Sequence, residues 1–265
     1  MRLYEGYIFD MDGVLYRGDE TIQDAVDAIN ILKDKGCKVM FMTNNSSKLS
    51  SEYANKIKEI GISLFDDNEV ITSGDVAAMY LKNELKAYPD RRNVLCVCSE
   101  SVKTLMKGIG MDVINQKDYR EAHYVVAGIT TDFNWELGNY AANAISVYGA
   151  KFIGTNPDVA KPVPNDEIFA GTGAIIAFIE TASQVKATIM GKPYPAMYNA
   201  ALQRMELVKT DTLMIGDLLN TDIKGASELG MDSAFVLTGL DKIEDMQRYG
   251  IVPTYVIDSL MDLVS

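Results

Sequence analysis

Polar side chains follow three short apolar segments of the sequence, at the point where each segment ends. Asp10 and Asp12 come directly after Tyr7–Phe9, while Thr43 and Asp217 follow two further apolar runs. Ligands of open α/β sheets bind at the carboxyl ends of the strands. If the three segments are neighbouring strands, their carboxylates converge and repel each other, and a hard cation such as Mg²⁺ relieves that repulsion. The pattern therefore predicts a magnesium site.

Two aspartates separated by one residue are suited to a divided task. In extended chain Asp10 and Asp12 share a face, so one carboxylate can attack phosphorus and form an aspartyl-phosphate. The other can protonate the leaving oxygen and then deprotonate the attacking water. Each polar cluster taken alone is also typical of helix caps and turns, and only the three together favour a catalytic site.

Lys192, between Gly191 and Pro193, supplies one cation close to the end of an apolar segment. A lysine ammonium is a compact point charge that can neutralise a phosphoryl oxygen. Taken alone, Lys192 fits a solvated surface lysine equally well.

The segments that must position these residues alternate between strand and helix patterns. In the N-terminal part we predict strands at Tyr7–Phe9, Cys37–Met42 and Val70–Thr72, and helices at Thr21–Lys35 and Leu49–Ile60. In the C-terminal part we predict helices at Pro195–Met205 and Thr221–Leu229, and strands at Thr212–Ile215, Ser233–Leu237 and Thr254–Ile257. Such alternation predicts an α/β fold with a parallel sheet and helical crossovers.

The middle of the chain repeats this alternation over a length sufficient for a separate α/β domain. It contains strand patterns at Asn93–Cys98, His123–Ala127 and Lys151–Ile153, with helix patterns at Ser101–Lys107 and Trp135–Val147. We therefore expect residues 1–75 and 186–265 to form a catalytic core, and residues 76–185 to form an inserted domain.

Composition narrows the classes of partner and compartment. The 265 residues carry a formal net charge of -12, which argues against nucleic acid and anionic membranes as partners but not against a small anionic substrate. The odd number of cysteines, three, points to a reducing compartment. No signal peptide or membrane-spanning run is recognisable, so we expect a cytoplasmic protein.

The polar motifs, in their order along the chain, resemble those of the haloacid-dehalogenase-like (HAD) superfamily. The set consists of Asp10-x-Asp12-Gly-x-Leu15, Thr43-Asn44-Asn45, Lys192 and Gly216-Asp217-x-x-x-Thr221-Asp222. Further motifs look like the NagD-like, 4-nitrophenylphosphatase-like branch: Thr43 to Ser46, Thr155-Asn156-Pro157-Asp158, Gly171-Thr172-Gly173 and Gly191-Lys192-Pro193. The resemblance implies a Rossmann-like core with an inserted class IIA cap.

The resemblance also implies a role for each matching residue. Asp10 would be the nucleophile and a Mg²⁺ ligand, and Asp12 the general acid and base whose main-chain carbonyl also binds Mg²⁺. Asp217 would be the third protein ligand of Mg²⁺.

The remaining implied roles concern the phosphoryl group and its surroundings. Thr43, Asn44 and Asn45 would hold the phosphoryl group, and Lys192 would neutralise the charge that develops on it. Asp222 would orient a bound water or Lys192.

The sequence departs from the branch pattern next to Asp217. Leu218 stands where the branch usually has arginine, and Asn220 is neutral. Neither position binds the metal, so we expect the chemistry to survive while the local charge changes.

Substrate specificity is expected to come from the cap, for which Asn156, Asp158 and Lys161 are candidates. A structural turn around Pro157 explains these residues at least equally well. The resemblance also makes a homodimer plausible.

Three functions remain open from the sequence. The first is a phosphatase acting on a small phosphorylated metabolite. The second is a phosphotransferase or phosphomutase, in which a sugar hydroxyl replaces water. The third is a non-enzymatic phospho-acceptor or binding protein, which Asp12 argues against because such a module needs no acid and base beside the nucleophile.

Overall fold

The computed structural model describes residues 2–63, 65–163 and 167–265. Its strands are β1 (Gly6–Phe9), β2 (Tyr16–Arg17), β3 (Glu20–Thr21), β4 (Lys38–Thr43), β5 (Val70–Thr72), β6 (Asn93–Val97), β7 (Asp112–Val113), β8 (Tyr124–Ala127), β9 (Lys151–Gly154), β10 (Ala160–Val163), β11 (Glu167–Ala170), β12 (Thr188–Ile189), β13 (Thr212–Gly216), β14 (Asp232–Val236) and β15 (Tyr255–Ile257).

Nine α-helices lie in the described residues: α1 (Gln23–Asp34), α2 (Ser50–Glu59), α3 (Ser73–Ala87), α4 (Glu100–Gly108), α5 (Trp135–Ser146), α6 (Thr172–Ser183), α7 (Pro195–Met205), α8 (Lys224–Leu229) and α9 (Ile243–Tyr249). A π-helical turn, Leu219–Ile223, precedes α8. None of these helices has both the length and the apolar composition needed to cross a membrane.

The chain divides into two compact units, each of which is made of separate stretches of the sequence. The first comprises Met1–Thr43, Ser50–Ile71 and Lys192–Ser265. The second comprises Asn44–Leu49 and Thr72–Gly191.

The first unit is built on a six-stranded sheet with the order β15-β14-β13-β1-β4-β5. The pairings of β1 with β13 and β4, and of β14 with β13 and β15, are parallel. All four residues of β1 are buried, as expected for a strand covered on both faces by helices. Because β1 lies between β13 and β4, the carboxyl ends of the three strands are adjacent. The predicted α/β class with a parallel sheet is confirmed.

Local sequence explains most boundaries in this unit. Helix α1 buries a stripe that contains Ala25, Ile29 and Leu32, which is the helical spacing of an amphipathic segment. Helix α7 begins at Pro195, where proline is tolerated because the first helical N–H has no partner within the helix.

The segment before α8 differs from the single helix predicted over Thr221–Leu229. Its first part is the π-helical turn, in which the main-chain N–H groups of Asp222 and Ile223 both donate to Leu218 O, at 3.0 and 3.4 Å. The extra residue in this turn is tied to the side chain of Asp222, whose Oδ2 accepts a hydrogen bond from Leu218 N at 3.2 Å. A regular amphipathic pattern does not encode such a contact.

The second unit has its own parallel sheet, with the order β12-β9-β8-β6-β7. Its core includes Val97, Val125, Phe152 and Ile179, all buried. Strands β10 and β11 pair with each other in antiparallel orientation, and the alternation pattern did not predict them.

Candidate active site

The carboxyl ends of β1, β4 and β13 bring together the residues that the sequence singled out in the first unit. Asp10 directly follows β1, Thr43 is the last residue of β4, and Asp217 directly follows β13. All three side chains are buried. Carboxylate oxygens of Asp10, Asp217 and Asp222 lie within 4.8 Å of one another. The convergence expected of neighbouring strands is therefore present.

Lys192 is inserted into this group of carboxylates. Its Nζ lies 2.6 Å from Asp10 Oδ1 and 2.6 Å from Asp222 Oδ1, and 3.4 Å from the main-chain oxygen of Met42. The residue is 2% exposed, so the reading as a solvated surface lysine is wrong. Burial alone disfavours the ammonium, but the charges of Asp10 and Asp222 outweigh burial and raise the pKa of Lys192.

Asp217 is held from one side only. Its Oδ2 accepts a hydrogen bond from Leu240 N at 2.9 Å, whereas its Oδ1 is buried and has no hydrogen-bond partner among the residues that the structure describes. Burial, followed by the charges of Asp10 and Asp222, raises the pKa of Asp217 to about 8. An unpartnered buried carboxylate oxygen next to two other carboxylates is an unfavourable arrangement unless a cation occupies the space.

Asp222 has its carboxylate oxygens engaged by the protein itself. Oδ1 pairs with Lys192 and Oδ2 accepts from Leu218 N. Burial raises the pKa of Asp222 to about 7, and the Lys192 charge acts in the opposite direction. Asp222 therefore has less capacity to bind a cation than Asp10 and Asp217 have, which fits its predicted role as a residue that orients Lys192.

The donor set at this edge fits a hard divalent cation. It offers carboxylate oxygens from Asp10 and Asp217, and no described residue donates a hydrogen bond to Asp217 Oδ1. Oxygen ligands at the end of a parallel sheet are what Mg²⁺ and similar cations prefer. The other predicted ligand, the main-chain carbonyl of Asp12, lies in the loop directly after Asp10.

Asp12 lies in a tight loop and is exposed. Gly13 follows with a φ of +81°, a left-handed conformation that glycine adopts without strain. Thr238 Oγ1 donates a hydrogen bond to Gly13 O at 2.7 Å, so the loop after β14 fixes the loop after β1. An exposed carboxylate beside the nucleophile is accessible to a leaving group and to water.

Asn44 and Asn45 belong to the second unit, where Asn44 is bound from several sides. Its Nδ2 donates to Asp158 Oδ1 at 3.2 Å, and its main-chain oxygen accepts from Ser73 Oγ at 2.6 Å and Asn156 Nδ2 at 2.8 Å. The expectation that Asn44 and Asn45 bind a phosphoryl group stays a prediction.

The same contacts bear on the nominated specificity residues. Asn156 is 3% exposed and also donates to Thr172 Oγ1 at 3.2 Å, while Asp158 N donates to Asn156 Oδ1 at 3.2 Å. These bonds favour the alternative that this motif is a structural turn. The side chain of Lys161 lies outside the described part of the chain.

Three features of the site carry no signal in the sequence pattern. A Cβ on Gly239 would lie 1.9 Å from Asp217 Oδ2, so only glycine lets the chain pass beside that carboxylate. Arg17 Nε donates to Thr238 O at 2.6 Å and so supports the loop that holds Gly13. Tyr198 contacts the segment that carries Asp222. Each contact joins residues that are far apart in the sequence.

The departure from the branch pattern has a limited effect on the site geometry. Leu218 contributes its main-chain N–H and oxygen to the π-helical turn, and a main chain of any residue type can do so. Asn220 is exposed.

A cavity of about 440 Å³ in the first unit lies at the opposite edge of the sheet, near the start of β4. Three cations line it, and each is engaged: Lys33 with Glu69 Oε1 at 2.5 Å, Lys38 with Met205 O at 2.7 Å, and Arg204 with Val70 O at 2.8 Å. These contacts hold the ends of helices and strands together and do not indicate a ligand.

Comparison with known families gives matches at both ends of the chain. A family model described as haloacid dehalogenase-like hydrolase matches residues 7–112. A second model, described as HAD-hydrolase-like, matches residues 189–263. Together the two matches cover Asp10, Thr43, Lys192, Asp217 and Asp222.

Individual proteins match over almost the whole chain. An acid sugar phosphatase of Staphylococcus epidermidis is 32% identical over 98% of this chain and 96% of its own length. The p-nitrophenyl phosphatase from Archaeoglobus fulgidus superposes with a TM-score of 0.90, at 27% identity, over 99% of each chain. NagD from Escherichia coli K-12 superposes with a TM-score of 0.85, at 26% identity, over 98% of each chain.

Proposed function

The chain belongs to the haloacid dehalogenase-like hydrolase family, and from this premise we propose that it is a phosphatase acting on small phosphate monoesters through an aspartyl-phosphate on Asp10. The supporting observation is the position of Asp10, buried at the end of a central strand, 2.6 Å from the Lys192 ammonium and close to Asp217. The names of two relatives, acid sugar phosphatase and p-nitrophenyl phosphatase, support the same proposal.

Mg²⁺ is the cation that we propose for this site. The carboxylates of Asp10 and Asp217 would hold it, together with the main-chain carbonyl of Asp12. When bound, it would neutralise part of the charge on the carboxylates and on the phosphoryl oxygens. The unpartnered Asp217 Oδ1 supports this assignment.

The first half of the reaction forms a bond between a carboxylate oxygen of Asp10 and phosphorus. The bond between phosphorus and the leaving oxygen breaks at the same time, and Asp12 gives its proton to that oxygen, so that an alcohol leaves. Thr43 would donate its hydroxyl hydrogen to a phosphoryl oxygen. Lys192, already beside Asp10, would stabilise the negative charge that spreads over the phosphoryl oxygens.

The second half releases the phosphate. Asp12, now a carboxylate, takes a proton from a water molecule, whose oxygen attacks phosphorus. The bond between phosphorus and the Asp10 oxygen breaks, which regenerates the Asp10 carboxylate and frees inorganic phosphate. Because water is the acceptor, no second substrate is needed.

Sugar phosphates and aryl phosphates are the substrate classes that the relatives' names support. We keep residues 76–185 as the proposed cap that selects among substrates, in line with the resemblance. A cytoplasmic location and a homodimer also stay part of the proposal, and sedimentation of the purified protein tests the latter.

A screen for phosphate release against a panel of small phosphate monoesters tests the proposed function. With Mg²⁺ present, we expect equal amounts of phosphate and dephosphorylated product from at least one sugar phosphate or aryl phosphate, and no product when EDTA removes the cation. Candidate sugar acceptors are added in parallel reactions. A phosphorylated acceptor without free phosphate would favour the phosphotransferase alternative, and a stoichiometric phosphoprotein without turnover would favour the non-enzymatic one.

A further inference from the structure

Tyr198 is a fully buried tyrosine in the first turn of α7, six residues after Lys192. Its hydroxyl donates towards two main-chain oxygens, that of Thr221 at 2.8 Å and that of Asp222 at 2.9 Å. The hydroxyl therefore joins the segment that follows Lys192 to the segment that carries Asp222.

The two acceptors lie in the π-helical turn Leu219–Ile223. A π-helical turn contains one residue more than an α-helical turn, and here Lys224 N donates to both Leu219 O and Thr221 O, which departs from the regular helical pattern. Buried main-chain oxygens need hydrogen-bond donors. The Tyr198 hydroxyl supplies a donor at the point where the turn departs from regular helix.

Gly225, in the helix that continues from this turn, allows the close approach. A Cβ on Gly225 would lie 2.4 Å from Tyr198 Oη and 2.6 Å from Pro193 O. Helix α8 thus packs directly on Tyr198 and on the residue next to Lys192. Because Gly225 has no side chain, α8 can pack against Tyr198 and Pro193 at the same time.

The Asp222 carboxylate depends on this arrangement. Its Oδ1 lies 2.6 Å from Lys192 Nζ, and the same Nζ lies 2.6 Å from Asp10 Oδ1. A shift of the turn by a few tenths of an ångström would lengthen the first contact and let the ammonium move relative to Asp10. Positions of charged groups around a reacting centre matter on that scale.

We propose that Tyr198 is a positioning residue, which fixes the π-helical turn so that Asp222 holds the Lys192 ammonium against Asp10. This inference rests on the proposed function, because it assigns Lys192 a role in phosphoryl transfer. Tyr198 itself does not touch the substrate.

The test compares Tyr198→Phe with Tyr4→Phe. The control removes a buried tyrosine hydroxyl of the same unit that donates to Asp232 Oδ2 at 2.8 Å, away from the catalytic edge. For Tyr198→Phe we expect kcat to fall about tenfold, with KM within about twofold of wild type, since the transition-state charge and not substrate binding loses support. Tyr4→Phe is expected to keep the wild-type kcat per folded molecule.

A double-mutant cycle separates positioning from a general loss of stability. If Tyr198 acts through Asp222, Tyr198→Phe should lower kcat by less than about twofold in an Asp222→Asn background, because the contact that it supports is already gone. A tenfold fall in that background as well would overturn the inference. Gly225→Ala, which crowds the hydroxyl without removing it, should lower kcat in the same direction.

Amide hydrogen exchange gives a readout that does not need turnover. Exchange at residues 218–224 should be faster in Tyr198→Phe than in wild type or Tyr4→Phe. Unchanged exchange there, or faster exchange with a wild-type kcat, would overturn the inference. A wild-type protein that releases no phosphate from any substrate would contradict the proposed function itself, which is a different outcome.

Discussion

Lys192 carries one positive charge among the buried carboxylates of Asp10, Asp217 and Asp222. If all three carboxylates are ionised, the group keeps a net negative charge in a place with little water, which is unfavourable without a further cation. The raised pKa of Asp217, about 8, expresses the same conflict. The side chains at this site therefore fit a state with a metal bound, and Asp12, the proposed acid and base, is exposed.

The role of Asp12 can be tested with Asp12→Asn. An amide cannot supply a proton to the leaving oxygen or take one from water, so we expect kcat to fall by about 10²–10³-fold. With an aryl phosphate, whose leaving group needs no proton, the first step should survive and the phosphoenzyme should accumulate. Quenched reactions followed by intact-protein mass spectrometry measure the bound phosphate. Asp19→Asn, at an exposed position nearby, is the control, and an Asp12→Asn rate equal to that of the control would refute the assignment.

At the scale of elements, the aspartates are held by three loops at the carboxyl edge of the sheet, which follow β1, β13 and β14. The loop after β14 contacts both others: Thr238 donates to Gly13 O at 2.7 Å, and Leu240 N donates to Asp217 at 2.9 Å. Gly239 lies between these two residues and passes so close to Asp217 that no side chain fits. The geometry of the proposed metal ligands thus depends on a loop that supplies no ligand.

Gly239→Ala should displace Asp217. The added methyl group would overlap the carboxylate, and relief of such crowding destabilises a folded protein by about 1–3 kcal/mol. We expect the Mg²⁺ concentration for half-maximal activity to rise at least about fivefold, as measured by titration of phosphate release. Gly108→Ala is the matched control, because a Cβ there meets no atom within 4 Å. Equal Mg²⁺ dependence in the two variants would contradict the proposed role of the loop.

Sequence periodicity predicted the elements of the core better than the contacts between them. The bounds of β5 and α7 agree with the prediction, since apolar runs and a proline at a helix start are local signals. The turn that contains Asp222 differs from the predicted regular helix, because the Asp222 side chain accepts a hydrogen bond from the main-chain N–H of Leu218. Tyr198 and Gly239 were not predicted at all, since their contacts depend on tertiary packing that a single sequence does not display.

At the scale of the whole molecule, the chain contains two α/β units, each with its own parallel sheet and core. The formal net charge of -12 lies almost entirely in the first unit, whose residues carry -11, while the residues of the second unit carry -1. Such a charge does not favour anionic ligands in general, so we expect binding of a phosphorylated substrate to rely on Lys192 and the proposed cation.

Mg²⁺ should therefore stabilise the folded protein against unfolding, in addition to activating catalysis. At a concentration of 100 times its dissociation constant, a ligand that binds only the folded state adds about 2.7 kcal/mol, which corresponds to a rise in Tm of roughly 5–10 °C for a protein of this size. We expect this rise for wild type and Asp19→Asn, and a much smaller one for Asp217→Asn, when thermal unfolding is followed by circular dichroism. The same rise in Asp217→Asn would place the cation elsewhere.

The central claim, that Asp10 is the nucleophile of a phosphatase, is tested most directly by Mg²⁺-dependent phosphate release from Asp10→Asn beside wild type and Asp19→Asn. The replacement keeps the shape of the side chain but removes the attacking carboxylate. We expect folded Asp10→Asn, verified by circular dichroism, to lose at least about 10³-fold in kcat and to form no phosphoenzyme, while Asp19→Asn keeps the wild-type rate. Full Mg²⁺-dependent turnover by Asp10→Asn would contradict the assignment of the nucleophile and of the whole site.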